Sequence, residues 1–169
     1  MSFLTEERKF LIIRYFTFCG NFLPQFILSL ILLLIDFERG FQVGAIWGWG
    51  YILNFIIKNT VKKERPDQAQ WKVKEVTGTS FPSGHSLTSL VMYWSIAKYF
   101  EIAFPWAVIL YLIPIGLGLS RLYLKVHYPV DVYGGWIIAY IYLQVFSFQA
   151  IDITKTVFLF FLEPLGISF

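Results

Sequence analysis

Cysteine occurs once in this 169-residue sequence, histidine twice, and only 15% of the residues are charged. The single thiol, Cys19, excludes an internal disulfide and a cysteine-built metal site. Lying in an apolar run, it reads as a small packing residue. The scarcity of charge argues against a soluble chain, because it is matched by 57% hydrophobic and 20% aromatic residues. One water-soluble core of this size cannot hide so many large apolar side chains. A bilayer takes them, since lipid solvates the outer faces of helices, and aromatic rings settle at the two membrane–water boundaries. The length suits one domain over residues 1–169. A formal net charge of +3 is modest, and no nucleic-acid partner is expected. Arg8, Lys9 and Arg14 precede an apolar stretch in the manner of a signal peptide. No small-x-small cleavage pattern follows, so the segment is expected to be retained.

Five stretches have the length and apolarity of membrane helices, which need ~20 residues. They are Tyr15–Ile35, Phe41–Ile57, Ser86–Phe104, Pro105–Leu119 and Val132–Ile151. Gly44, Gly48 and Gly50 in the second favour close helix approach. Lys98 and Glu101 near the end of the third can reach the interface. Pro114 predicts a kink in the fourth. The first 14 residues mix charge with Phe, Leu and Ile and read as an interfacial amphipathic helix. The apolar run Val157–Leu162 is too short to cross. The expected fold is therefore all-α: a polytopic bundle of five spans, or six if the N-terminal segment also crosses. No internal repeat or linker interrupts it.

Counting crossings puts the two long polar segments, 58–85 and 120–129, on one membrane face. Three clusters lie there. Lys58 and Arg65 are seven residues apart, about two helical turns, so they share a face as the second span ends, and Pro66 discourages further helix. Alone, this pair reads equally as a basic helix end at lipid headgroups. Phe81-Pro82-Ser83-Gly84-His85 opens the third span, where a helix N-terminus offers free N–H groups and a positive dipole end to an anion. Pro-Ser-Gly-His alone reads equally as a cap and turn, but a histidine at a membrane boundary has few structural reasons to be there. In the third cluster, Ser120-Arg121 precede His127 and Asp131. Four residues apart, the last two are expected on one helical face, with the carboxylate fixing the imidazole tautomer; the alternative is a helix-capping surface pair.

Taken together, Lys58-x6-Arg65-Pro66, Pro82-Ser83-Gly84-His85 and Ser120-Arg121-x5-His127-x3-Asp131 resemble the three-part signature of the type 2 phosphatidic acid phosphatase family, shared with bacterial acid phosphatases and vanadium haloperoxidases. Every fixed position is matched in order, from Lys58 to Asp131. Such a match is far more specific than a lone motif. The resemblance implies an enzyme that hydrolyses a phosphate ester or diphosphate of a membrane lipid through a phosphohistidine. His127 would attack phosphorus, Asp131 orient it, and His85 protonate the departing oxygen and then activate water. Lys58, Arg65, Arg121, Ser83 and the Gly84 amide would hold the phosphate oxygens.

No cofactor or metal is expected, because three cations already meet the phosphate and two histidines with different tasks leave no zinc set. Asp67 and Glu75 are the alternative, as magnesium ligands. Trp71, Lys72 and Lys74 either contact a headgroup or anchor their loop. Compact bacterial members of the family act on phosphatidylglycerophosphate, undecaprenyl diphosphate, phosphatidic acid or lipid A 1-phosphate, and the residues do not separate these. A phosphotransferase passing phosphate to a second lipid would carry the same signature; a vanadate peroxidase and a silent lipid-binding scaffold are more remote. The resemblance implies a bacterial cytoplasmic membrane with the site toward the periplasm. The charge distribution points the other way, since every basic residue except Arg39, Lys98 and Lys155 lies on the motif-bearing face.

Overall fold

The computed structural model describes residues 5–73 and 76–162 and is helical throughout, with no strand among the described residues. The helices are α1 (Glu6–Phe18), α2 (Phe22–Ile35), α3 (Phe37–Val61), α4 (Gly84–Tyr99), α5 (Trp106–Tyr123), α6 (Pro129–Val145) and α7 (Ser147–Leu162), with a 3₁₀ turn at Gln68–Gln70.

Helix α4 is the central post, with α3, α5 and α6 packed around it. Its buried residues include Ser86, Thr88, Ser89, Ser95 and Ala97, small side chains that let neighbouring helices approach. Leu87, Val91 and Met92 of α4 meet Val43, Ile46 and Trp47 of α3 and Ala139, Tyr142 and Leu143 of α6 to form the core. A Cβ at Gly135 of α6 would stand 2.9 Å from the Ser83 carbonyl oxygen, so these backbones nearly touch. Outward faces carry Leu34, Phe55, Ile109, Ile137 and Tyr140, all exposed, as a bundle solvated by lipid requires.

The helices correct several sequence expectations. The first expected span, Tyr15–Ile35, is broken at Cys19–Asn21, and α1 and α2 meet at 53°. Backbone bonds from Cys19, Gly20 and Asn21 to carbonyls three residues back tighten the end of α1. Asn21 then stands at the N-cap of α2 in extended geometry. Pro24 follows in the first turn, where its missing N–H costs nothing. The last expected span likewise ends at Val145 and turns by 67° into α7, which takes up Val157–Leu162. Pro114 lies inside α5, which continues past it, and the Pro114 carbonyl accepts the Trp136 indole N–H at 3.3 Å.

Of the three glycines expected to bring helices together, Gly44 faces Ser29 and Gly50 faces Val91 and Tyr142, but Gly48 faces open space. The tightest approach is instead at Gly40, against the Leu32–Leu33 backbone. Helices α3 and α5 are each long and apolar enough to cross a membrane, and the two bent pairs bring the candidates to four. Helix α4, with 16 residues, is shorter than an ordinary span and is sheltered by its neighbours.

Candidate active site

The C-terminal end of α3, the N-terminus of α4, the C-terminal end of α5 and the segment leading into α6 meet around one cavity of about 960 Å³. Lys58, Arg65, Gly84, His85, Arg121 and His127 all line it. The three sequence clusters therefore converge, and both imidazoles face one space. Ser83 is the exception: it is fully buried, and its hydroxyl caps α4 by accepting the Ser86 N–H at 3.4 Å. At Gly84 a Cβ would lie 3.4 Å from the Asn54 carboxamide nitrogen, so the bare glycine leaves that corner open beside the half-buried N-terminus of α4.

The tautomer of His127 follows from its neighbours. Its Nε2 lies 3.0 Å from an Arg65 terminal guanidinium nitrogen, which can only donate, so Nε2 accepts and the proton sits on Nδ1. Burial, opposed by nearby Asp131 and reinforced by Arg65, Arg121 and Lys58, brings the His127 pKa from 6.5 to about 4. The ring is therefore neutral near pH 7, with the Nε2 lone pair turned toward a cation at the cavity.

The link to Asp131 differs from expectation. His127 is not on α6, which begins at Pro129, so the pair does not share a helical face. Nδ1 and Asp131 Oδ2 are 3.6 Å apart, beyond a hydrogen bond. Oδ2 is held by the Tyr128 N–H at 2.8 Å, which caps α6, and by the Ser80 hydroxyl at 2.5 Å. Ser80 Oγ gives its proton to Asp131 and keeps a lone pair toward His127 Nδ1 at 3.4 Å. Lys63 completes the carboxylate with 2.6 Å to Oδ1. The carboxylate thus acts on the imidazole chiefly through a serine. Neither Ser80 nor Lys63 stood out in the sequence. Ser80 sits one residue before the Phe81-Pro82 motif, and Lys63 is one charge in a basic run.

The cations are tied to the long loop as well as to the cavity. Arg65 donates to the carbonyls of Gly78 (2.8 Å), Thr77 (3.0 Å) and Val126 (2.9 Å), and Lys58 to that of Thr79 (2.7 Å). The Ser80 N–H donates to the Lys63 carbonyl at 2.7 Å, closing the loop on itself. Trp71 donates its indole N–H to the Pro66 carbonyl at 2.9 Å, an anchor for the loop. Lys72 stacks on Tyr123 at 3.6 Å and also lines the cavity. Lys74 and Glu75 lie outside the described residues. Asp67 is spent capping the 3₁₀ turn, accepting from the Ala69 N–H at 3.0 Å. Among the described residues no group of three or more His, Cys, Asp or Glu side chains is placed to hold a metal ion.

Fold and site together define a class: a helical membrane protein built around a basic, histidine-bearing cavity at the ends of its helices. The chain belongs to the PAP2 superfamily, whose model matches residues 39–153. It is 31% identical over 105 residues to phosphatidylglycerophosphatase B of Bacillus subtilis (strain 168), a match covering 57% of this chain and 51% of that protein. The chain thus aligns with about half the length of this curated relative. Its fold resembles the crystal structure of a transmembrane PAP2 type phosphatidylglycerolphosphate phosphatase from Bacillus subtilis. The TM-score is 0.67 over 86% of this chain and 76% of that one, at 24% identity, a likeness of fold. The family expected from the motifs is the family found.

Proposed function

We propose that this protein is a metal-independent lipid phosphatase that works through a phosphohistidine on His127. The orientation of His127 carries the reading: its Nε2 lone pair faces the cavity cation Arg65, while Nδ1 is backed by Ser80 and Asp131. An entering phosphoryl group displaces the Arg65 N–H from Nε2 and takes it onto an oxygen instead. Nε2 then attacks phosphorus, forming N–P as the bond to the lipid oxygen breaks. The departing oxygen takes a proton from His85, made cationic by the phosphate dianion. Neutral His85 next removes a proton from water, whose oxygen attacks phosphorus. The N–P bond breaks, inorganic phosphate leaves, and both histidines return to their starting states. Lys58, Arg65, Arg121 and the Gly84 amide at the α4 N-terminus stabilise the equatorial oxygens, which is most of what phosphoryl transfer needs.

A cavity at helix ends suits a substrate whose phosphate lies at headgroup depth while its chains stay in lipid. Among the four candidate lipids, phosphatidylglycerophosphate is favoured because the curated relative is named for that activity. The site is read as facing the periplasm across a bacterial cytoplasmic membrane. The charge bias still opposes this reading, because partnered cations lie on both faces: Lys58, Lys63, Arg65, Lys72 and Arg121 on this one, and Arg39 and Lys98 on the other. Labelling of a cysteine placed at Gln70 reads the side.

The test is phosphate release from a panel of purified phospholipids. Phosphatidylglycerophosphate should turn over, vanadate should inhibit, EDTA should leave the rate unchanged, and His127→Ala should be inactive. Loss in EDTA with rescue by magnesium overturns metal independence, and an active His127→Ala overturns the mechanism.

A further inference from the structure

The break between α1 and α2 lies before the residues that match the family, 39–153, yet it forms a wall of the cavity through Thr17, Phe18, Gly20 and Asn21. Thr17 is buried and engages two site residues at once. Its carbonyl lies 3.1 Å from His85 Nε2, and among the described residues this is the one hydrogen bond the ring makes. A carbonyl only accepts, so Nε2 carries a proton. The Thr17 hydroxyl accepts from an Arg121 terminal nitrogen at 3.2 Å and pairs at 2.8 Å with Ser120 Oγ, whose single proton the Leu117 carbonyl takes. The Nε of the same guanidinium is buried without a partner among the described residues. Gly20 lies against the His85 ring so closely that a Cβ there would collide with Cδ2.

The break is strapped from behind. Gly20 N–H donates to the Thr17 carbonyl at 3.0 Å. Gln25, 1% exposed, donates its amide to the Gly20 carbonyl at 3.2 Å and accepts the Trp47 indole N–H at 2.7 Å. A chain of hydrogen bonds therefore runs from the core of α3, through α2, to the imidazole. A bent helix pair with a buried glutamine is a costly way to build a plain span, because each polar group withdrawn from lipid must find a partner.

We propose that Thr17 and Gly20 are positioning residues of the active site. They fix the His85 imidazole for protonation of the leaving group and hold Arg121 toward the cavity until phosphate takes it over. The inference rests on the reading of His85 as proton donor. Its signature is dependence on the leaving group. An alkoxide needs a proton as it departs, whereas p-nitrophenolate hardly does.

Gly20→Ala pushes the imidazole away and should lower kcat/KM on phosphatidic acid by roughly 10²-fold, the low end of what a general acid contributes, while kcat/KM for p-nitrophenyl phosphate changes by less than about threefold, because this ratio reports transfer to His127 and not the later water step that both substrates share. Thr17→Val keeps the shape but frees Arg121; it should raise KM for both substrates by about tenfold, the order expected for one hydrogen bond to a charged group, and Thr17→Ser should restore it. Equal losses of kcat/KM on both substrates in Gly20→Ala, or no loss on either, overturn the proposal. If that variant does not accumulate, Thr17→Val decides: KM within twofold of the parent, or no rescue by serine, overturns it. His127→Ala run alongside separates the two questions. Its retention of activity defeats the phosphohistidine itself, whereas its inactivity beside an indifferent Gly20→Ala defeats only the positioning role.

Discussion

Exchanging Asp131 for asparagine tests the wiring behind His127, the proposed nucleophile, because the structure dictates how the replacement must fail. Asp131 is fully buried and accepts from three donors: Lys63 Nζ on Oδ1, and Ser80 Oγ and the Tyr128 N–H on Oδ2. Asparagine has one acceptor oxygen and two N–H donors. Turning its amide toward Lys63 sets a donor against a cation, the costlier clash, so the oxygen stays there and the amide faces Ser80, leaving the Tyr128 N–H without its acceptor. Ser80 then accepts from the amide and turns its own proton toward His127 Nδ1, 3.4 Å away. That locks the proton on Nε2, the nitrogen proposed to attack.

The parent arrangement favours Nδ1–H through the Ser80 hydroxyl, a neutral acceptor worth about 0.5–1.5 kcal/mol, and the neutral bond that replaces it in the opposite sense is worth about the same. The swing, about 1–3 kcal/mol, empties the Nδ1–H tautomer by roughly 5- to 160-fold. Losing the carboxylate behind the cationic imidazole adds to this, so Asp131→Asn should release phosphate from a lipid substrate about 10²–10⁴ times more slowly; the comparable exchange in a serine-protease triad costs about 10⁴. Adding Ser80→Ala deletes the hydroxyl that enforces the wrong tautomer and should restore about 2- to 12-fold of the lost rate. Asp131→Asn within tenfold of the parent, or a double variant no faster than the single one, refutes the relay through Ser80.

Lys63→Met strips the cation from buried Asp131. Because Lys63 is itself 32% exposed and two other donors remain, the loss should be about 1–3 kcal/mol, below that for a fully buried pair; an unchanged thermal midpoint in detergent argues against it. His127, followed by nitrogen NMR in the ligand-free protein, should titrate near 4. Its folded pKa lies below the unfolded 6.5, so between these values the unfolded chain binds the extra proton. Stability should fall as pH drops through that window, and a midpoint near 6.5 contradicts the burial argument. Gln25→Leu orphans the Trp47 indole and the Gly20 carbonyl and should cost about 1–3 kcal/mol in thermal stability. Gly135→Ala should cost a similar ~1–3 kcal/mol through overpacking against Ser83 and Ser86, and a neutral result means that α4 and α6 are not in register as described.

What the sequence made legible was the chemistry that depends on residue type at fixed spacing. Lys58, Arg65, His85, Arg121 and His127 are all marked by residue type and spacing, and all line one cavity. The helical class was equally plain, since apolar runs of this length leave few alternatives in lipid. The breaks were visible only in part: Gly20-Asn21 with Pro24 three residues on is a stop-and-start signal, but the surrounding apolarity masks it. Hydropathy averages over a window of about 19 residues, whereas a turn occupies three or four. The same blindness merged α6 with the first turns of α7.

The residues that support the reacting groups were harder to see, for a different reason. Ser80 and Lys63 matter because Asp131 spends one oxygen capping α6 and can no longer reach His127 directly. A geometric shortfall of this kind, 3.6 Å where a hydrogen bond needs about 3.0, leaves no mark on spacing. Thr17 is more hidden still, since it acts through a backbone carbonyl that every residue owns and through a hydroxyl in a run of aromatics. The site is therefore built from two kinds of part. Groups proposed to touch phosphate are restricted in kind, and a sequence displays them. Groups that aim those side chains are restricted only in place, and the α1–α2 break shows how far from the signature that place can lie.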